Sequence, residues 1–156
     1  MKAMDLTLRT WQPDDAEALR PLLDDPEIRR WTRALPAAAW IAAQHDGSRH
    51  SFAVLRAGEL VGNVALKLPN ADLAYWTVGY WTAAHARHQG VASWALREIT
   101  TWAFAEFAVP SLSLLHQVDN PGSCAVAARG GYRFAEQLPP GGGYPVPGHR
   151  HVRERA

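Results

Sequence analysis

The stretch Gly79-Tyr80-Trp81-Thr82-Ala83-Ala84-His85-Ala86-Arg87-His88-Gln89-Gly90-Val91-Ala92 decides how the rest of the chain is read. Before it, Leu73 to Thr82 is rich in aromatic and β-branched residues and reads as a strand, with Gly79 inside it marking a bulge or a close backbone approach. After it, apolar residues recur at helical spacing from Gly90 to Ala108. A strand, a short turn and a helix that begins at a glycine gather unpaired backbone N–H groups at one spot, which favours an anion. The helix dipole adds to that preference, and Arg87, His85 and His88 stand where they supplement it. A phosphate or pyrophosphate is the expected ligand.

Working outward, Val91, Ala92, Ala95, Leu96, Ile99, Trp102, Ala103 and Phe107 share one arc of the helix, which is expected to pack on a sheet. Ser93, Arg97, Thr100 and Thr101 lie opposite, and Trp94 and Phe104 fall on that polar side, against a flanking loop or a partner. Upstream, Leu6 to Thr10 reads as a strand, Ala16 to Leu23 as a helix opened by Pro13-Asp14-Asp15, and Ile28 to Thr32 as a short helical turn. Pro36 to Gln44 is a further helix, and Ser51 to Arg56 with Glu59 to Leu68 forms a hairpin about Ala57-Gly58. Downstream come a strand at Leu112 to Val118, a short helix at Ser123 to Arg129 stopped by Gly130-Gly131, and a strand at Tyr132 to Leu138. The Gly/Pro-rich run 139–148 is a loop, leaving His149 to Arg155 as a short closing strand or a frayed end.

A chain of 156 residues is expected to form a single domain spanning residues 1–156. Sixteen basic against fifteen acidic residues give a net charge of +1, so no nucleic-acid or membrane footprint is expected and anion binding must be local. With 47% hydrophobic residues, no long apolar run and no signal-peptide core in its opening residues, the protein is expected in the cytoplasm. The one cysteine, Cys124, excludes an internal disulfide and any cysteine-based zinc cluster; no metal is expected, and Cys124 reads as a small core residue.

The order strand, helices, antiparallel meander, long helix, strand, short helix, strand resembles the GNAT superfamily of acetyl-coenzyme A-dependent N-acetyltransferases. The composite carrying the resemblance is Gly79-Tyr80-Trp81, then Arg87-x-x-Gly90-x-Ala92 in place of the Arg/Gln-x-x-Gly-x-Gly/Ala turn, then Asn120-x-x-Ser123 and Gly131-Tyr132. The Asn-x-x-Ser form is most similar to the branch acetylating N-terminal amines of ribosomal proteins. The resemblance implies an α/β (α+β) fold with a mixed central sheet whose parallel strands splay apart. It further implies acetyl-CoA as co-substrate, its pyrophosphate on Arg87, His88, Gln89, Gly90, Val91 and Ala92 and its pantetheine arm along Val78, Tyr80 and Trp81. His88 departs from the pattern, since relatives often carry glycine there.

For chemistry, the resemblance implies direct attack of a neutral amine on the thioester, with a backbone N–H near Val78 to Tyr80 polarising the acetyl carbonyl. Ser123 is the expected proton donor to the leaving thiolate, because the tyrosine that does this in many relatives is replaced by Ala127; a helix N-cap explains the serine equally well. Asn120 is expected to tie the cofactor to its loop, with Ser123 also counted among the residues on the cofactor. Candidates for the base are Asp119, with His116 and Glu136 beside it, and His116 reads better as a satisfied core histidine. The acceptor is a primary amine, either a protein N-terminus or a small molecule, in a pocket walled by residues 13–45 and 139–148, with Trp31, Trp40 and Tyr144 as aromatic lining and Asp24, Asp25 and Glu27 attracting a cation. A monomer or homodimer is expected. The alternative is a GNAT-fold module that binds acyl-CoA with little turnover, favoured by the missing tyrosine and by the absence of an acid in 139–148.

Overall fold

The structure, a computed structural model, describes residues 5–32, 35–118, 120–140 and 146–155, with the backbone alone for Arg30, Trp31 and Pro121. Its strands are β1 (Leu6–Thr10), β2 (Arg49–Arg56), β3 (Glu59–Lys67), β4 (Thr77–Thr82), β5 (Ser111–Gln117), β6 (Arg133–Leu138) and β7 (Gly148–Glu154). Its helices are α1 (Ala16–Leu23), α2 (Pro26–Trp31), α3 (Ala37–Ala43), α4 (Val91–Glu106) and α5 (Pro121–Arg129), and short 3-10 turns precede α1 and α4. Hydrogen bonds join the strands in the order β1-β2-β3-β4-β5-β7-β6, a mixed seven-stranded sheet as the sequence led one to expect. By contacts the chain forms two compact units, Met1–Ala65 with Tyr80–Ala95, and Leu66–Gly79 with Leu96–Ala156; β3, β4 and α4 each run from one into the other.

In the first unit, β1 and β2 pair antiparallel from Leu6 opposite Arg56 to Thr10 opposite Phe52. The β2–β3 turn carries Ala57 at φ 51° and Gly58 at φ 83°, the two left-handed residues that a tight hairpin matching strand twist requires. Trp11, Trp40 and Trp81 interlock in the core with Leu19, Ile28 and Ile41, their ring centroids 5.0–6.3 Å apart. Trp11 Nε1 donates to Asn63 Oδ1 at 2.9 Å, and Ser51 Oγ donates to the same oxygen at 2.8 Å, so the polar atoms that accompany this burial are matched. At Gly62 a Cβ would stand 2.7 Å from the Trp81 carbonyl oxygen, which explains the glycine within β3. Trp40 therefore belongs to this core; a cleft of about 270 Å³ near α1–α3 is lined instead by Arg20, Leu23, Asp24, Arg29, Thr32, Leu35, Pro36 and Ala37.

In the second unit, the strand expected over Leu73–Thr82 begins only at Thr77. The Asn70 side chain accepts from the Asp72 and Leu73 N–H groups at 2.8 and 2.9 Å, folding the aromatic run into a turn that overrides its strand propensity. At Gly79 a Cβ would meet only the Lys67 side chain, at 3.5 Å. β4 pairs with β5 in parallel through Thr77–Ser113 and Val78–Leu114. The closing segment is not frayed: β7 lies between β5 and β6, antiparallel to both. α5 starts at Pro121, two residues earlier than expected, because a proline fits the first helical position. It ends in a Schellman motif, with Tyr132 N–H on Ala127 O, Gly131 N–H on Ala128 O, and Gly131 at φ 80°.

Ser93 and Thr100, expected on the polar side of α4, are buried. Thr100 satisfies its hydroxyl by donating to Leu96 O at 2.6 Å, and so accepts from the Tyr132 hydroxyl at 2.7 Å. Trp94 and Phe104 are half-buried, and the Arg155 guanidinium lies over the Phe104 ring, in keeping with a flanking segment as neighbour. Burial pushes the Tyr132 phenol up to about 12 from 10.0. The folded state thus prefers the neutral phenol; the stability this contributes is complete below the unfolded value and is lost as pH rises through about 12. In urea titrations at increasing alkalinity, Tyr132→Phe is expected to remove this loss, at a cost of about 1 kcal/mol at neutral pH for the missing hydrogen bond.

Candidate active site

The expected anion-binding turn lies in the first unit. After the 3-10 turn Ala84–Ala86, His88 takes φ 61° and Gly90 φ 83°, two left-handed residues in one short connection. His88 thus occupies a backbone conformation that glycine adopts freely and histidine adopts at a cost of about 1 kcal/mol. The first helical bond of α4 runs from Trp94 N–H to Gly90 O at 3.0 Å, so the N–H groups of Val91, Ala92 and Ser93 precede the helix's own carbonyl ladder. His88, Gln89 and Gly90 are exposed.

The side chains around this turn brace it. Arg87 Nε donates to Thr82 O at 3.1 Å, and its guanidinium pairs with Asp25 at 2.8 Å, so its charge is shared with an aspartate that also accepts from the Glu27 N–H at the start of α2. Gln89 accepts from Arg56 and donates to His85 O, and His85 Nε2 faces Glu59 at 2.8 Å. What the turn offers an anion is therefore chiefly backbone N–H groups at a helix mouth. A phosphate group fits this donor set, and the missing Cβ at Gly90 keeps the approach open.

Tyr80 is half-buried in β4, and the Trp81 ring is in the core, where its Nε1 is a buried donor with no partner among the described residues. In the second unit, Val78 is buried and carries the last β4–β5 pair. Asn120 is the N-cap of α5, yet its side chain makes no capping bond; Ser123 lies inside the first turn and is 8% exposed. The N-cap reading of Ser123 is thus corrected, since the cap falls three residues earlier, where the proline sets the helix start. Asp119 lies outside the described residues, as do Tyr144 and the Trp31 side chain. Glu136 is half-exposed and faces Arg150 at 3.7 Å.

His116 is buried as expected, its Nδ1 2.7 Å from Gln117 O, but it is not an isolated core residue. Its Nε2 lies 3.0 Å from His151 Nε2 and 3.1 Å from Cys124 Sγ, and His149 Nδ1 is 3.6 Å from the same sulfur. Cys124, read from the sequence as plain core without histidine partners, is half-buried among three imidazoles. Burial holds the His116 and His151 pKa values below the ordinary imidazole value, with nearby ring charges adding to the effect. The available signal was His149-Arg150-His151, two histidines two apart on a strand and so on one face.

The family model described as Acetyltransferase (GNAT) domain matches residues 5–133, and the chain belongs to that family. The expectation of an acetyl-CoA-dependent acetyltransferase is borne out at this level. The chain is similar to the "Putative ribosomal N-acetyltransferase YdaF" of Bacillus subtilis (strain 168), 26% identical over 81% of this chain and 77% of that protein. Among solved structures it is similar to the microcin self-immunity acetyltransferase MccE in complex with acetyl-CoA and AMP, with TM-score 0.82 and 17% identity over 97% of this chain and 93% of that one. A "putative ribosomal-protein-serine acetyltransferase" from Vibrio cholerae gives TM-score 0.81 and 22% identity over 97% and 94%. Both structures share the expected fold. Among the described residues no helix is long and apolar enough to cross a membrane.

Proposed function

We propose that the chain, acting as one domain, transfers the acetyl group of acetyl-CoA to a primary amine, either a protein N-terminus or a small amine, by direct attack. The observation that carries this reading is the left-handed glycine heading α4, which leaves three leading N–H groups open toward a diphosphate. Backbone of the 88–92 turn holds that diphosphate, while β4 beyond Val78 offers peptide groups to the pantetheine arm and polarises the acetyl carbonyl. Asn120, whose amide is not spent on capping, holds the cofactor from its loop, and Ser123 protonates the departing thiolate. Asp119 is the proposed base, acting through water. The likeness to YdaF and to the Vibrio cholerae protein supports an N-terminal amine as acceptor.

Incubation with acetyl-CoA and a panel of N-terminal peptides, polyamines and aminoglycosides is expected to release free thiol above background with at least one class. No release from any of them, with coenzyme A still raising the melting temperature, selects the second reading, an acyl-CoA-binding module with little turnover. That reading is favoured by Ala127, fully buried and without a hydroxyl at the position of the tyrosine donor of many relatives.

A further inference from the structure

The second unit carries a cluster to which the proposed acetyl transfer assigns no role. His149 and His151 stand on one face of β7, and the register places His116 of β5 opposite His149, so the sheet brings three imidazoles to one face. Cys124, from the first half of α5, adds a sulfur, and the four ligand atoms all lie within 4.8 Å of one another.

Hydrogen bonding alone does not account for this arrangement. The Gln117 carbonyl can only accept, so His116 Nδ1 carries the proton and Nε2 presents a single lone pair inward. That lone pair faces both His151 Nε2 at 3.0 Å and Cys124 Sγ at 3.1 Å, and one acceptor cannot serve two donors well. The sulfur is further surrounded by His149 Nδ1 at 3.6 Å and His151 Nε2 at 3.7 Å. A tetrahedral zinc ion with its usual bond lengths sets N···N at about 3.3 Å and N···S at about 3.6 Å, close to these separations. The His116 ring is also oriented as zinc-ligating histidines are, its other nitrogen donating to a carbonyl.

We propose that His116, Cys124, His149 and His151 form a binding site for a divalent zinc ion. Thiolate and imidazole suit this borderline-soft cation, and four protein ligands complete its coordination, which makes the site structural: it ties α5 and β7 to β5. Phe134, opposite His151 in β6, packs edge-on against His149 and His151 with ring centroids at 5.0 and 5.8 Å and covers one side. On binding, the Cys124 thiol proton and any proton on the three inward nitrogens are released to solvent while the thiolate stays on the ion, so uptake is accompanied by acidification.

The test uses the untagged full chain, stripped with chelator and then given zinc alone. Native mass spectrometry is expected to find one zinc per chain, with an upward shift of several degrees in melting temperature. Cys124→Ser and His151→Asn are expected to lose the ion at least a hundredfold more readily, whereas His50→Asn, which alters none of the four ligands, retains it. Should the variants fail to fold, the natural chain decides: zinc is expected to slow alkylation of Cys124 at least tenfold, and cobalt in its place to give a thiolate charge-transfer band. Binding well below one equivalent, equal retention by folded Cys124→Ser, or an alkylation rate indifferent to zinc would overturn the proposal. None of these readouts depends on acetyl transfer.

Discussion

Gly90→Val is expected to weaken coenzyme A binding at least a hundredfold, about 2.7 kcal/mol, in titration calorimetry. Two effects combine. A β-branched residue is excluded from φ 83°, so the turn must refold, and the substitution removes the bare backbone approach that glycine gives an anion. His88→Gly serves as the opposite probe, since it relieves a left-handed histidine while exposing the same backbone; its binding is expected to stay within a few fold of the natural chain. Equal affinity in Gly90→Val would remove the turn from the cofactor site and leave the arm-binding strand as its main anchor.

Ser123→Ala is expected to lower kcat about a hundredfold or more, with KM for acetyl-CoA within twofold, because a proton donor to the leaving thiolate acts in the transition state and not in cofactor binding. The substitution is a sharp probe because Ser123 does not cap α5; Asn120 holds that position, and Pro121 starts the helix independently of the serine hydroxyl. Circular dichroism is therefore expected to change little, and the urea midpoint by no more than the hydrogen bonding of one buried hydroxyl, about 1 kcal/mol. A kcat unchanged in Ser123→Ala would shift protonation to solvent or to another group.

Much of the fold was legible because its signals are local. Leu6–Thr10 and Ala16–Leu23 have the expected bounds, and the Ala-rich run after Pro36 forms α3, since capping residues and period declare themselves within a few positions. Where local signals compete, propensity misled: the aromatic run from Leu73 reads as strand, but the Asn70 side chain captures two N–H groups and delays β4 to Thr77. Ser93 and Thr100 read as a solvent face, although a threonine hydroxyl returned to the preceding turn is readily buried.

The site divides in the same way. The turn at Gly90 is contiguous in sequence, so a glycine that lets the backbone approach an anion could be read there, whereas the left-handed conformation of His88 carried no signal beyond its departure from glycine. The cluster about Cys124 has no contiguous signature. His116, Cys124 and His149 converge only once β7 has inserted between β5 and β6, a pairing of distant segments that periodicity does not encode. Arg87 shows a smaller limit: a cation beside an anion site reads as a ligand, but its partner Asp25 is 62 residues away in sequence.

The central claim is that peptide N–H groups at the mouth of α4 grip the diphosphate of the acyl donor. It is tested most directly by following the backbone amide resonances of isotopically labelled protein during titration with coenzyme A. The amide protons of residues 88–93 are expected to move downfield together and by more than those elsewhere, as N–H groups do on gaining a charged acceptor. If these amides stay in place while coenzyme A binds, the claim is wrong.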